Sequence, residues 1–94
     1  MTSQLKISVK FSFNLHKVEL ETQSTTLGSL LDELSKSYNV KEVEFFDSDR
    51  REVHFDCDVL LNGQSYQVLP EGLDTRLGDG DEVEIIKLIV LQGG

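Results

Sequence analysis

The last two residues of the sequence, Gly93 and Gly94, offer its simplest chemistry. Lacking side chains, they let an extended backbone enter a narrow cleft, and the carboxyl of Gly94 is then the least hindered acyl group a chain can present. The other chemistry-bearing residues are carboxylates and one thiol. Asp47 and Asp49, Asp56 and Asp58, and Asp79 and Asp81 form three D-x-D pairs, the kind of carboxylate clustering that calcium favours. The run Asp47-Ser48-Asp49-Arg50-Arg51 departs from the EF-hand loop, because arginines stand where oxygen ligands and a glycine belong. The pairs therefore read as solvated turn carboxylates. His54 and Cys57 are close in sequence, but the second histidine, His16, belongs to another part of the chain. No metal site is expected. Cys57 has no local signature of a base-activated nucleophile and reads as a small core residue beside an apolar strand. Gly78 and Gly80 lack the spacing and the Lys-Ser/Thr ending of a phosphate loop, so any ATP would be bound by another protein.

The elements that must position these groups are legible from periodicity. Leu5, Ile7, Val9, Phe11 and Phe13 alternate with polar residues, which predicts a strand, and Val18 and Leu20 alternate with Lys17, Glu19 and Glu21 as its returning hairpin arm. Leu27, Leu30, Leu31 and Leu34 have the spacing of one helical face, with Thr25 or Thr26 as N-cap and Gly28 in the first turn. The stripe extends to Tyr38, and Asn39 can end it. The mixed stretch from Lys41 to Asp58 predicts a loop or irregular hairpin that tucks some of Phe45, Phe46 and Phe55 under the helix. Val59-Leu60-Leu61 reads as a buried strand that Asn62-Gly63 turns back, with Tyr66 and Val68 on the returning side. Leu73 to Leu77 has room for one helical turn. Gly78-Asp79-Gly80-Asp81 is turn chemistry, and a last strand runs from Glu82 to about Leu91. Strand, strand, helix, strand, short strand, strand predicts an α+β fold with one helix on one face of a mixed sheet of four to five strands. With the first and last strands paired centrally and in parallel, this is the ubiquitin-like β-grasp topology.

Composition narrows the function. At 94 residues the chain is expected to be one domain, 1–94, with a flexible diglycine tail over about 91–94. So short a domain has little room for a large internal active site beside its core, which argues against catalysis by the chain alone. A formal charge of −8 argues against nucleic acid and points to basic partners. The single cysteine excludes an intramolecular disulfide and suits a reducing cytoplasm. Neither a signal peptide nor an apolar run long enough for a membrane span is visible.

Leu60-Leu61-Asn62-Gly63, Glu71-Gly72-Leu73-Asp74-Thr75 with Leu77, Asp79-Gly80-Asp81-Glu82-Val83 and the final Gly93-Gly94 resemble the MoaD/ThiS family of ubiquitin-like sulfur carriers. The GLDT and DGDEV segments are most similar to the MoaD branch, the small subunit of molybdopterin synthase. The proline-free approach from Ile85 to Gln92 differs from that branch. The resemblance implies that a ubiquitin-activating-type adenylyltransferase uses ATP to adenylate Gly94. A sulfur donor then converts the carboxylate to a thiocarboxylate, and a larger subunit, such as the molybdopterin synthase large subunit, accepts the sulfur. It equally accommodates carriers for thiamin or transfer-RNA thiolation, and modifiers that join proteins through the terminal glycine. A β-grasp interaction module without acyl chemistry is the remaining alternative.

In the last strand Val83 and Ile85 have one parity, and Ile86, Leu88 and Val90 the other. A sheet with its helix on one face cannot bury both sets. Ile86, Leu88 and Val90, with Leu91 and Gln92 beside the diglycine, are therefore expected to form a partner-binding surface opposite the helix, unless the Phe45, Phe46 and Phe55 region covers it. Burying one large apolar side chain contributes about 1.5–3 kcal/mol. Leu88→Asp should then weaken partner binding tenfold or more in a titration while leaving the fold largely intact in a thermal melt; an unfolded variant would assign Leu88 to the core instead.

Overall fold

The computed structural model describes residues 4–12, 16–37 and 45–87. Strands β1 (Leu5–Phe11) and β2 (His16–Thr22) form an antiparallel hairpin in which Ile7 faces Leu20 and Val9 faces Val18. Helix α1 (Leu27–Ser37) comes next, then a small two-stranded sheet of β3 (Phe46–Asp47) and β4 (Glu52–Val53). Strand β5 (Cys57–Leu61) turns into the two-residue β6 (Gln64–Ser65), and a 3-10 turn over Gly72–Asp74 leads to β7 (Glu82–Lys87). The main sheet has the order β2-β1-β7-β5-β6. β7 runs parallel to β1, with Val9 beside Val83 and Phe11 beside Ile85, and antiparallel to β5.

The predicted α+β fold, with the first and last strands central and parallel, is the one observed. Alternation in β1 sends Ile7, Val9 and Phe11 to the helix side, where they meet Val59, Leu61, Val83 and Ile85. Leu27, Leu30, Leu31 and Leu34 of α1 close this core and are buried. Phe45 and Phe46 fill its end, the Phe45 ring centroid lying 6.0 Å from that of Phe11. Phe55 does not join them: it is 90% exposed. Phe13, Tyr38 and Asn39, and the last strand beyond Lys87, lie outside the described residues.

Two local devices fix the helix. Thr26, not Thr25, is the N-cap, since its Oγ1 accepts the Ser29 amide at 3.2 Å and donates to Ser29 Oγ at 2.8 Å. The segment after the 3-10 turn then docks on the helix entry: Leu27 N–H donates to Thr75 O at 2.9 Å and Leu77 N–H to Thr25 O at 2.8 Å. The motif Gly72-Leu73-Asp74-Thr75 is thus a structural clamp, folded on itself by the Thr75 hydroxyl donating to Gly72 O at 2.7 Å. On the other side Glu33 Oε1 accepts hydroxyls from Thr22 at 2.6 Å and Ser24 at 2.8 Å, tying α1 to the end of β2.

The turn Asn62-Gly63 behaves as its sequence predicts, with φ of 51° and 87°. The returning side departs from the expected strand. Tyr66 and Val68 do not extend one: Val68 N–H donates to Ser65 O and Leu69 N–H to Tyr66 O, coiling the chain into successive turns that leave Val68 70% exposed. Proline at 70 cannot donate to a ladder, and Tyr66 and Leu69 pack on the core from turns instead. The predicted helical turn near Leu73 is present but lies earlier and is tighter.

Gly28 fits tightly against the clamp. A Cβ at this position would stand 3.1 Å from the Leu73 carbonyl oxygen and 3.3 Å from Leu73 Cβ. Gly28→Val is therefore expected to destabilise the protein by about 1–3 kcal/mol, the usual cost of overpacking, read as a lower urea midpoint with an unchanged slope.

Candidate functional site

Strand β7 carries the chain toward Gly94, so its end is the root of the candidate site. Val83 and Ile85 are buried toward the helix, while Ile86 is half-buried on the other face, opposite Asp58 of β5. Leu88, Val90, Leu91, Gln92, Gly93 and Gly94 lie outside the described residues.

The root is held from both flanks. On the β1 side, Ile85 O accepts the Ser12 amide at 3.0 Å and the Ser12 hydroxyl at 3.3 Å. On the β5 side, Lys87 Nζ lies 3.2 Å from Asp56 Oδ2. Asp56 sits in a turn closed by Cys57 N–H donating to His54 O at 3.0 Å, and His54 N–H donates in turn to Phe45 O at 2.9 Å. The other Asp56 oxygen accepts from Cys57 Sγ at 3.6 Å and lies 3.9 Å from His54 Nδ1. The Lys87 ammonium holds the Asp56 carboxyl below its usual range. Sequence reading separates Asp56 from Lys87, because their meeting depends on the register that sets Cys57 opposite Lys87.

The carboxylate pairs have structural work of their own. Asp47 Oδ1 accepts the amides of Asp49 and Arg50 at 3.0 and 3.3 Å. Asp58 Oδ1 accepts the Val59 amide and the Ser65 hydroxyl, each at 2.8 Å. Asp79 Oδ1 takes the Lys6 amide at 2.8 Å. Asp81 takes the Gly78 amide at 2.6 Å and the Asn62 side-chain amide at 3.1 Å. With their oxygens turned to backbone and side-chain donors, these aspartates lock turns and sheet ends. Among the described residues, no group of three or more His, Cys, Asp or Glu side chains is placed to hold a metal ion. Nor is any helix among them long and apolar enough to cross a membrane.

Cys57 is buried in the core cluster, and burial, reinforced by the neighbouring Asp56 carboxylate, pushes its thiol up to about 11. A thiol so placed is a poor nucleophile at neutral pH. The described residues thus bring together a rigid strand end and no reacting pair of their own.

The profile of the ThiS family matches residues 10–94. This chain belongs to the ThiS family. Its members are ubiquitin-like sulfur carriers or modifiers, small carrier proteins or subunits and not enzymes in their own right. Among solved structures, the small archaeal modifier protein 1 from Methanosarcina acetivorans is 26% identical, with 98% of this chain and 99% of that one covered at a TM-score of 0.67. Urm1 from Trypanosoma brucei is also 26% identical, with both chains covered in full at a TM-score of 0.68. Subunit 1 of a molybdopterin converting factor, as assigned in Pyrococcus furiosus, shares the fold at 23% identity, covering 90% of this chain and 99% of that one at a TM-score of 0.63. A comparison with curated protein sequences gives no match.

The Cys57 environment yields a direct test. Its ordinary value is 9.0 and its folded value about 11, so the thiolate fraction at pH 8 is lower in the folded chain. Iodoacetamide at pH 8 should modify native Cys57 at least tenfold more slowly than the urea-unfolded chain, as followed by mass spectrometry; equal rates would place the thiol at the surface.

Proposed function

We propose that this ThiS-family chain is a sulfur carrier that works through the carboxyl of Gly94. The observation that supports it best is the family match running through residue 94 over a β-grasp sheet whose central strand leads toward the diglycine. A carboxylate is a poor acceptor for a sulfur nucleophile, whereas an acyl-adenylate has a good leaving group. The Gly94 carboxylate attacks the α-phosphate of ATP on an activating partner and releases pyrophosphate. Hydrosulfide-level sulfur from a donor then displaces AMP and leaves the thiocarboxylate. The chain itself binds no ATP in this scheme; it orients the tail, raising its effective concentration at the partner.

A molybdopterin precursor on a larger sulfur-accepting subunit is the first acceptor to examine, on the strength of the GLDT and DGDEV segments. Both segments have architectural roles in this fold, clamping the helix entry and opening β7, so their likeness speaks for the scaffold more than for the acceptor. The second reading, a modifier whose Gly94 joins a lysine of another protein, is favoured by the 26% identity to a small archaeal modifier protein.

Incubation with ATP, the ubiquitin-activating-type enzyme of the same genome and a sulfur donor should add the mass of one oxygen-to-sulfur exchange at Gly94. Deletion of Gly93 and Gly94 should abolish it. No exchange, or exchange that survives the deletion, overturns the carrier reading. A ladder of higher-mass conjugates in cells, lost with Gly94, supports the modifier instead.

A further inference from the structure

Gly93 and Gly94 carry no side chains, so a partner that acts on this end must take its identity from elsewhere on the chain. Phe55 is the feature placed for that purpose. Of the described phenylalanines, Phe11, Phe45 and Phe46 are buried in the core, whereas Phe55 is 90% exposed. It is not at the tip of a loose loop. Its turn is closed by the Cys57-to-His54 bond and anchored to Phe45 O by the His54 amide. The next residue, Asp56, holds Lys87 at 3.2 Å. The backbone that carries the phenyl is therefore anchored, and Phe55 precedes the aspartate paired with Lys87, the last described residue of β7, from which seven residues lead to Gly94. An aromatic side chain has only two torsions to order when a pocket closes on it, and it buries a large apolar area in return.

The surroundings specify the occupant. Glu52, Asp56 and Asp58 flank Phe55 in sequence along with Arg50 and Arg51, Asp56 is paired with Lys87, and the balance over the whole chain is a formal charge of −8. An apolar pocket rimmed by lysine or arginine complements this combination, whereas a second copy of this acidic chain does not. We propose that Phe55 is the anchor by which the adenylating partner recognises this chain, seating in an apolar, basic-rimmed pocket beside the cleft that receives the tail. This rests on the reading of Gly94 as the activated group and adds the surface that selects the chain.

The test is ATP–pyrophosphate exchange by the ubiquitin-activating-type enzyme of the same genome, with the full-length chain as varied substrate. Phe55→Ala and Phe55→Glu should each raise KM for the chain tenfold or more with kcat within twofold of wild type, Phe55→Tyr should stay near wild type, and thermal melts should be unchanged. Normal KM for Phe55→Ala and Phe55→Glu, with wild type active, overturns the anchor and leaves the carrier reading intact. Absence of exchange with wild type overturns both. A change in oligomeric state on gel filtration for Phe55→Ala, with KM unmoved, assigns the phenyl to a second copy and also overturns the proposal.

Discussion

The parallel pairing of β1 with β7 is the constraint on which the rest of the molecule depends. It brings Ser12 to the carbonyl of Ile85, 73 residues away in sequence, and sets Val9 beside Val83. Parallel strands cannot be joined by a tight turn, so a crossover must pass over one face of the sheet. Here that crossover includes α1, and the face it covers becomes the core side of every strand. Ile7, Val9, Phe11, Val59, Leu61, Val83 and Ile85 are buried because they share that parity. Once β1 and β7 are registered, β2 and β5 have only the two outer flanks left to occupy.

A long closure of this kind needs reinforcement, and the side chains that supply it are the ones that attract attention as possible ligands. The Asp79 carboxylate receives the amide of Lys6 at the start of β1, and Asp81 links the turn at Gly78 to Asn62 after β5. Asn62 completes the corner by accepting the Glu82 amide at 2.9 Å. Three of these four bonds satisfy backbone donors, those of Lys6, Gly78 and Glu82, at or next to strand ends, where the ladder itself has run out, and the fourth joins two side chains. The carboxylates of Asp79 and Asp81 thus meet amides that the ladder leaves over.

How much of this the sequence discloses depends on the range of each interaction. Period-two alternation in β1 and the Leu27, Leu30, Leu31, Leu34 stripe depend on one face of one element, and both are readable residue by residue. The Asn62-Gly63 turn is readable because positive φ restricts residue choice locally. The Phe45, Phe46 and Phe55 region is different: three aromatics close in sequence have two fates, which depend on long-range packing such as that of Phe45 on Phe11. The coil from Tyr66 to Leu69 likewise escapes a reading by alternation, since its apolar residues serve the core from turns. The strand-end pairing of Asp56 with Lys87 depends on the register of β5 against β7, which no local pattern encodes.

At the root of the site, structure and chemistry divide between different atoms. A terminal glycine suits acyl transfer because it has nothing to obstruct a cleft, and for the same reason it has nothing to distinguish one chain from another. Orientation has to be supplied by the sheet, and the sheet supplies it by fixing both flanks of β7: Ser12 on one side and the Asp56 turn on the other. The single thiol, that of Cys57, is pushed toward its protonated form by burial and by the same Asp56 carboxylate that binds Lys87. Burial thus keeps the Cys57 thiolate scarce at neutral pH, while the Asp56 carboxylate that raises it also holds Lys87 at the last described position of the strand.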